Sequence, residues 1–544
     1  MRDRGYGLAM DQNLKVLSGN KKSKILLLLL LPVLLLSISV FFKTSKGEFY
    51  IGRYYDPSYA YLINSLNIVN GQSIGHFDHP GTPVQLIGAA TLYFQSSGTE
   101  QREFIKSVFT DPERFLLIIN ICFILMVCVS LFITGLMVFN KTGNIIAALL
   151  IQLTPFTSTT ILYNLTNVSP EPLIIFSMLI FLAITCSMIY EKDLTGKKLF
   201  KYVYLFGSIS GFLLSVKISA FPVMLIPLIL IRGFRMKSIY ILITLLIFFI
   251  IISITMSYDN VMALFTFLKR ITLRSGAYGF GSQEMLADSF LSNLKKIIYY
   301  EPFFIISYLT SACIMIYTLI SKKFKTVNSN MFKLLLGIVV MMTLQLIIVS
   351  KHFQIYYMLP ALMLSVPALI AGIGIMSSLS EKTFFKKAAV IIFMILFFLP
   401  LKTLYSEISS YRNRKAEAHK IINYVEQNFS DSVMVFSNTS SGKIPALFMG
   451  IQHSGKSKEK YVSIMNELYP GKLSFDIWLK NIDPKSRMTD DFTSYNNFII
   501  QCSSNEVLSD FINLLKQNFG KKNLSFTKLF SNNRDEGVYR ISCD

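Results

Sequence analysis

Long apolar runs, separated by short polar stretches, set the pattern of this chain. Ile25–Phe42, Phe115–Phe139, Ile145–Leu162, Leu173–Tyr190, Ile239–Met256, Phe303–Ile320, Leu334–Ser350, Tyr356–Met376 and Ala388–Tyr405 each approach the roughly 20 residues that carry a helix across a bilayer. A further run, Tyr202–Ile231, is too long for one crossing and short for two. Lys217 lies near its centre between Ser215 and Ser219, with Pro222 just beyond. That spacing predicts two short or broken helices turning near Lys217, and eleven crossings in all. No small-residue cleavage site follows Phe42, so the first run reads as an uncleaved span and not as the core of a signal peptide.

Charge tests this topology. With the N-terminus in the cytoplasm, the inside pieces (1–24, 140–143, 191–201, 232–237, 321–333 and 377–387) hold 21 Lys+Arg in 69 residues. The outside loops (43–114, 163–170, 258–301 and 351–354) hold 12 in 128. The inside density is about threefold higher, as the positive-inside rule expects. The basic stretch 232–237 falls inside only if 202–231 crosses twice. Composition agrees: 52% of the 544 residues are hydrophobic and 16% are charged, far from a soluble protein. The net charge of +21 is accounted for by topology and calls for no nucleic-acid partner.

The expected organisation is a cytoplasmic N-terminus (1–24), a helical polytopic membrane domain (25–405) and an extracytoplasmic α/β domain (406–544). In the last, helical spacing covers Tyr411–Phe429, Lys472–Ile482 and residues 506–519. Strand patterns cover 433–437, 496–502 and 537–543. Neither a P-loop nor a G-x-G-x-x-G occurs there, so nothing points to a nucleotide. Cys122, Cys128, Cys186 and Cys313 lie in predicted spans as small apolar residues. Cys502 and Cys543 end two predicted strands, which leaves a disulfide between them open in an oxidising compartment. No spacing of Cys and His resembles a zinc site.

The polar stretch after the first span carries the chemistry. Loop 43–114 is far longer than a connection needs. Within it Ser58–Val69 reads as a helix along the membrane interface, entered through Pro57, and Thr82–Phe94 as a second amphipathic or partly embedded helix, entered through Pro80 and Pro83. Asp56 stands just before the first helix. It is either a cap, as Asp-Pro often is, or a carboxylate held ionised by the helix N-terminus and able to serve as a general base.

The pieces Tyr55-Asp56-Pro57 and His76-Phe77-Asp78-His79-Pro80-Gly81-Thr82-Pro83 resemble the C-type (GT-C) membrane glycosyltransferases. In pattern they are similar to the protein O-mannosyltransferases and the lipid A aminoarabinose transferases. Two departures stand out: the family's acidic pair is a single Asp56 here, and the second proline of its turn is displaced to Pro83. Ser169-Pro170-Glu171-Pro172 resembles the acidic residue that opens a later span in these enzymes. Lys351-His352 before Ile355-Tyr356-Tyr357-Met358-Leu359-Pro360 resembles the basic residue set beside the phosphate of the lipid-linked donor. Read without the resemblance, Glu171 is a carboxylate at a helix N-terminus and Lys351 a snorkelling lysine.

The resemblance implies a GT-C-like fold and an inverting transfer from a polyprenyl-phosphate sugar to a lipid, glycan or protein acceptor at the extracytoplasmic face. Asp56 would be the base, and Asp78, His79 and Glu171 would orient acceptor or donor. Lys351 and His352, with Arg270, would meet the donor phosphate. Arg270 and Arg274, one helical turn apart and ahead of Gly276, Gly279 and Gly281, would gate that site or simply attract membrane-lipid headgroups. Lys217 would pair with an acid or sit at the water interface. No cofactor is expected; a divalent metal serves some members of the family, but the scattered acids here predict none. A lipid-linked glycan transporter and a surface-polysaccharide ligase or polymerase are the competing readings. The gathering of acids in loops, with no internal repeat, speaks against the transporter.

Overall fold

The computed structural model describes residues 20–544, except 52–56, 79, 192, 276–278, 280, 282–288, 322–327, 380–382, 431, 484–496, 520–523 and 544 and the side chains of 383–402, 497, 518, 519 and 543. Asp56 and His79 therefore lie outside the described residues.

The first span is α1 (Lys21–Lys46). The long connection after it folds into α2 (Ser58–Val69), α3 (Thr82–Gln95) and α4 (Gln101–Thr110). The chain returns through α5 (Pro112–Thr142), which Asp111 caps by accepting from Arg114 N and which Gly143 ends in the left-handed region at φ 68°. Asn144 then caps α6 (Ile145–Gln152), accepting from the amides of Ile146 and Ala147. After α7 (Thr159–Asn164) come α8 (Pro170–Ile189), α9 (Gly196–Val216), α10 (Leu225–Leu230) and α11 (Phe234–Ser253). Next are α12 (Tyr258–Leu273), α13 (Phe290–Tyr300), α14 (Pro302–Ile320), α15 (Ser329–Lys351) and α16 (Ile355–Leu379). Among the described residues eight of these are long and apolar enough to cross a membrane: α1, α5, α8, α9, α11, α14, α15 and α16. The chain is an integral membrane protein.

Two predicted crossings take a broken form. Ile145–Leu162 is not one helix. Pro155 lacks an amide donor, and the hydroxyls of Thr154 and Thr157 bond back to Ile151 O and Thr154 O, so a 3-10 turn (Thr154–Thr157) separates α6 from α7. Gln152 donates to Leu28 O and Leu131 O, and Ser158 and Thr160 donate to Glu301. The turn expected at Lys217 is there: α9 stops at Val216, Lys217 is extended, and a 3-10 stretch (Ile218–Met224) leads into α10. Seven residues at about 2.0 Å and six at about 1.5 Å span about 23 Å. They follow α15 from Gln345, which donates to Ser219 O, past Gly337, which faces Ile226, to Lys333 beside Arg232 and Lys237.

Gly207 and Gly211 let α9 and α11 approach closely. A Cβ on Gly207 would lie 2.7 Å from Ile243, and one on Gly211 would lie 2.5 Å from Thr244 O. The last predicted crossing falls within α17 (Thr383–Phe429), a 47-residue helix that runs unbroken through residue 406. The expected boundary at residue 406 therefore falls inside one helix.

The C-terminal domain contains β1 (Met434–Ser437), α18 (Lys443–Gln452), α19 (Lys458–Leu468), β2 (Lys472–Asp476) and β3 (Asn481–Asp483). It continues through β4 (Asn497–Cys502), α20 (Asn505–Phe519), β5 (Leu524–Ser531) and β6 (Gly537–Cys543). The sheet order is β3-β2-β1-β4-β6-β5, with β1 parallel to β2 and β4 and the other neighbours antiparallel. One face packs on α20 through Val435, Phe475, Ile500 and Phe511. The other packs on the end of α17 through Ile421, Ile422, Met434 and Phe436.

Three expectations are corrected here. Lys472–Ile482 is not a helix: Leu473 and Phe475 alternate with Ser474, a period of two, and the segment forms β2 and β3. The Cys502–Cys543 disulfide is excluded by register. Cys502 lies opposite Gly537, six residues along β6 from Cys543 or about 20 Å, and its thiol is free. Finally, α2 does not lie along an interface. All of Ser58–Asn67 is buried, because α2 is enclosed by α3, α5 and α18. The third side is closed by the C-terminal domain, whose α18 and α19 share one continuous apolar cluster with the bundle.

Candidate functional site

The side of the bundle that carries the C-terminal domain also gathers the first connection, Glu171, Lys217, α12, and the junction of α15 with α16. The turn His76–Pro83 is fixed there from several directions. Asn64, fully buried on α2, accepts from Gly75 N (2.7 Å) and His76 N (3.2 Å) and donates to His453 O (2.9 Å). Gln85 donates to His76 O at 2.6 Å. Gly81, at φ 63°, donates to Val216 O and lies against the Tyr61 ring, where a Cβ would come within 2.4 Å of the phenol oxygen. Glycine is required at that position both by its dihedral and by its neighbour.

This turn brings Asp78 into a half-buried site. Burial raises its carboxyl above the usual carboxylate range, and the charges of His453 and Arg270 act in the opposite sense. The His76 ring stands edge-on between Tyr61 (5.1 Å) and His453 (5.3 Å). Val216 O, which receives Gly81, directly precedes Lys217.

Lys217 and Glu171 form a buried ion pair at 2.5 Å, with side-chain exposures of 2% and 6%. The ammonium also faces the rings of Tyr356 and Tyr357, each 4.5 Å away. Gln345 ties this corner together, donating to Ser219 O and Tyr357 O. An ammonium buried this deeply is tolerable because a carboxylate and two π faces surround it. Of the two readings of Lys217, pairing with an acid is the one realised.

Arg270 sits in the last turn of α12, over the Phe267 ring. Lys351 Nζ donates to Thr272 O (2.7 Å), and His352 Nε2 lies 2.8 Å from Ile271 O, where it acts as donor. These two side chains hold the C-terminal carbonyls of α12, a favourable place for cations. Arg274 is exposed, in extended backbone just past the helix, so it and Arg270 do not share a continuous helical face.

The structure thus brings Glu171 together with Lys217, Tyr356 and Tyr357. It sets Asp78 near Arg270 and His453, joins Lys351 and His352 to the last turn of α12, and leaves Arg274 at the surface. The described chain resumes after Asp56 at Pro57. The next residue, Ser58, accepts from Val168 N, three residues before Glu171. Sequence reasoning missed His453 and Asn64. His453 arrives from a separate domain, and no spacing connects it to the first connection. Asn64 carries a faint signal, as one of the polar residues in an otherwise apolar helix.

Beside this region Glu301, buried at the start of α14, accepts from Ser158 (2.9 Å) and Thr160 (2.5 Å). Burial pushes its carboxyl up to about 7 despite those hydrogen bonds. Among the described residues no three His, Cys, Asp or Glu side chains are placed to hold a metal ion. A cavity of about 750 Å³ lies away from all of these groups, between α17 and the sheet, with Phe429, Phe436, Tyr469 and Gln501 in its wall.

No protein-family model and no curated protein matches the chain. Its fold is similar to two crystal structures of ArnT from Cupriavidus metallidurans, one bound to undecaprenyl phosphate and one in the apo state. The TM-score is 0.48 in both cases, with 11% and 12% identity, over 93% of this chain and 97% of those.

Proposed function

We propose that the chain is an inverting glycosyltransferase that moves a sugar from a polyprenyl-phosphate donor to a lipid, glycan or protein acceptor at the extracytoplasmic membrane face. The observation that carries this reading is the meeting of two charged groupings at one end of the bundle. One is the buried Glu171–Lys217 pair under Tyr356 and Tyr357, and the other is Asp78 with Arg270 and His453. Acids and bases held close together at a membrane boundary suit a reaction that separates charge between a sugar and a phosphate.

In this reading the acceptor oxygen or nitrogen attacks the anomeric carbon and the bond from that carbon to the phosphate oxygen breaks. The electron pair leaves on the phosphate. Asp56 takes the acceptor proton, attack from the face opposite the phosphate inverts the anomeric centre, and the lipid phosphate departs as an anion. Arg270 stabilises the developing phosphate charge. Lys351 and His352 meet the donor phosphate with Arg270, and their hydrogen bonds to Thr272 O and Ile271 O also fix the end of α12 that carries Arg270. Asp78, His79 and Glu171 orient donor or acceptor, and Lys217 pairs with Glu171 in its buried position. Arg274, exposed, lies at the entrance. The lipid carries the activated sugar, so the scheme calls on no nucleotide.

The test is transfer by the purified full chain from a panel of radiolabelled polyprenyl-phosphate sugars, with Asp56→Asn alongside. The expected result is turnover of one donor, reduced at least about 100-fold by the substitution while folding and lipid binding persist. Equal turnover by both proteins would leave Asp56 as a helix cap. Movement of an intact lipid-linked glycan across liposomes without cleavage would establish a transporter instead.

A further inference from the structure

We propose that the groove between the last turn of α1 and the membrane exit of α17 binds the phosphate of an anionic membrane lipid. The groove is separate from the candidate site, and the argument for it does not rest on the proposed transfer reaction. It encloses about 310 Å³ between Thr44 and Ser45 on α1 and Arg412, Lys415, Ala416 and His419 on α17. Arg412, Lys415 and His419 are spaced i, i+3, i+7 and so form one stripe of the helix. The Arg412 guanidinium lies 5.4 Å from the centre of the Phe41 ring. The Lys415 stem crosses Gly47 so closely that a Cβ there would come within 2.8 Å of its Cδ. His419 meets Glu48 at 3.1 Å.

Positive charge accumulates behind this groove as well. Lys43 donates to Gly47 O over the Phe49 ring, and Lys46 donates to Thr166 and Asn167 over the Tyr163 ring. The hydrogen-bond and ring contacts of Lys46 are with neutral groups. Two carboxylates offset part of this charge: Glu113 and Glu48 both face Lys43, while Glu113 accepts from Phe49 N and Tyr59 and Glu48 meets His419. A seam with this excess of cations is stabilised by an anion arriving from outside. Arg412 and Lys415 supply charge-assisted donors, and Thr44 and Ser45 lie in the same wall with hydroxyls.

What marks the anion as a lipid is the surface beneath the groove. Val33, Leu34, Val40 and Phe41 on α1 are exposed, and so is Tyr405 on α17. This apolar strip belongs to the bilayer and ends at the groove, so an acyl chain lying along it would deliver a headgroup phosphate to Arg412 and Lys415.

The test uses the full chain in detergent and reads lipid retention by native mass spectrometry. The probes are phosphatidylglycerol and phosphatidylcholine of identical acyl chains, inorganic phosphate and a polyprenyl phosphate. Wild type is expected to retain phosphatidylglycerol over phosphatidylcholine. The Arg412→Gln/Lys415→Gln double variant should bind it about tenfold more weakly. Lys460→Gln/Lys528→Gln, which removes the same charge from exposed sites in the C-terminal domain, should bind as wild type does. Equal retention of the two lipids, or no loss in the double variant, would overturn the proposal. Displacement by inorganic phosphate alone would make the groove a free-anion site. Preferential displacement by the polyprenyl phosphate would make it part of the donor path. Either displacement result also overturns the lipid-headgroup assignment.

Discussion

Replacing Lys217 by methionine keeps the volume of the side chain and removes its charge. Glu171 would then be a carboxylate 6% exposed with its 2.5 Å partner gone, and Tyr356 and Tyr357 would lose the cation they face at 4.5 Å. Stranding one member of a buried pair costs about 3–5 kcal/mol, and the two π contacts add roughly 0.5–2 kcal/mol each. Glu171→Gln should cost less, because the ammonium it leaves behind still has two ring faces and the amide oxygen can accept a hydrogen bond. In Glu171→Gln/Lys217→Met no charge is left unpaired, so the double variant should be more stable than Lys217→Met alone, with a coupling of about 2–3 kcal/mol. Thermal unfolding in a fixed detergent can be followed with a thiol-reactive dye that reports exposure of Cys128 and Cys186, which lie in the spans. Additive effects, or a Lys217→Met loss below about 0.5 kcal/mol, would refute the reasoning by showing that the pair is solvated and not a buried unit. If the stabilised double variant still fails to transfer sugar, the pair has a role in the reaction beyond holding the bundle together.

Two further outcomes are expected. Glu301 holds a proton in the folded chain up to about pH 7, whereas an exposed Glu releases it near 4.5. Folding therefore binds a proton between those values, and stability falls as pH rises through that window, by at most on the order of 3 kcal/mol. Glu301→Gln should flatten the dependence of Tm on pH from 4 to 8, and an unchanged slope would show that the carboxyl titrates normally. A Cβ at Gly75 would lie 2.2 Å from Gly455 N and 2.6 Å from His453 O, both backbone atoms with no side-chain freedom to yield. Gly75→Ala should cost about 1–3 kcal/mol and speed limited proteolysis around α18 and α19. Unaltered Tm and cleavage rates would mean that the first connection and the C-terminal domain do not touch there.

The sequence by itself determined the membrane class, since a run of about 20 apolar residues has few other uses. It also determined the helices read at Ser58–Val69 and Thr82–Phe94, the turn at Lys217 and the strands β1, β4 and β6. Each of these follows from local period, proline or capping, which neighbouring residues decide among themselves. The break at Pro155 was just as local but was hidden by the apolar run around it, and β2 was misread because a short buried segment of period two can pass for a helix. The candidate site was legible only in part. Glu171, Lys217 and Asp78 stood out as charges in apolar or turn surroundings, but their partners did not. Tertiary structure alone decided that Lys217 would meet Glu171, that His453 and Asn64 would join the turn holding Asp78, and that Lys351 and His352 would support α12. Such choices depend on which helix ends come to lie side by side. That is set by the packing of the whole bundle and of the C-terminal domain against it, over separations in the chain as large as the 389 residues between Asn64 and His453.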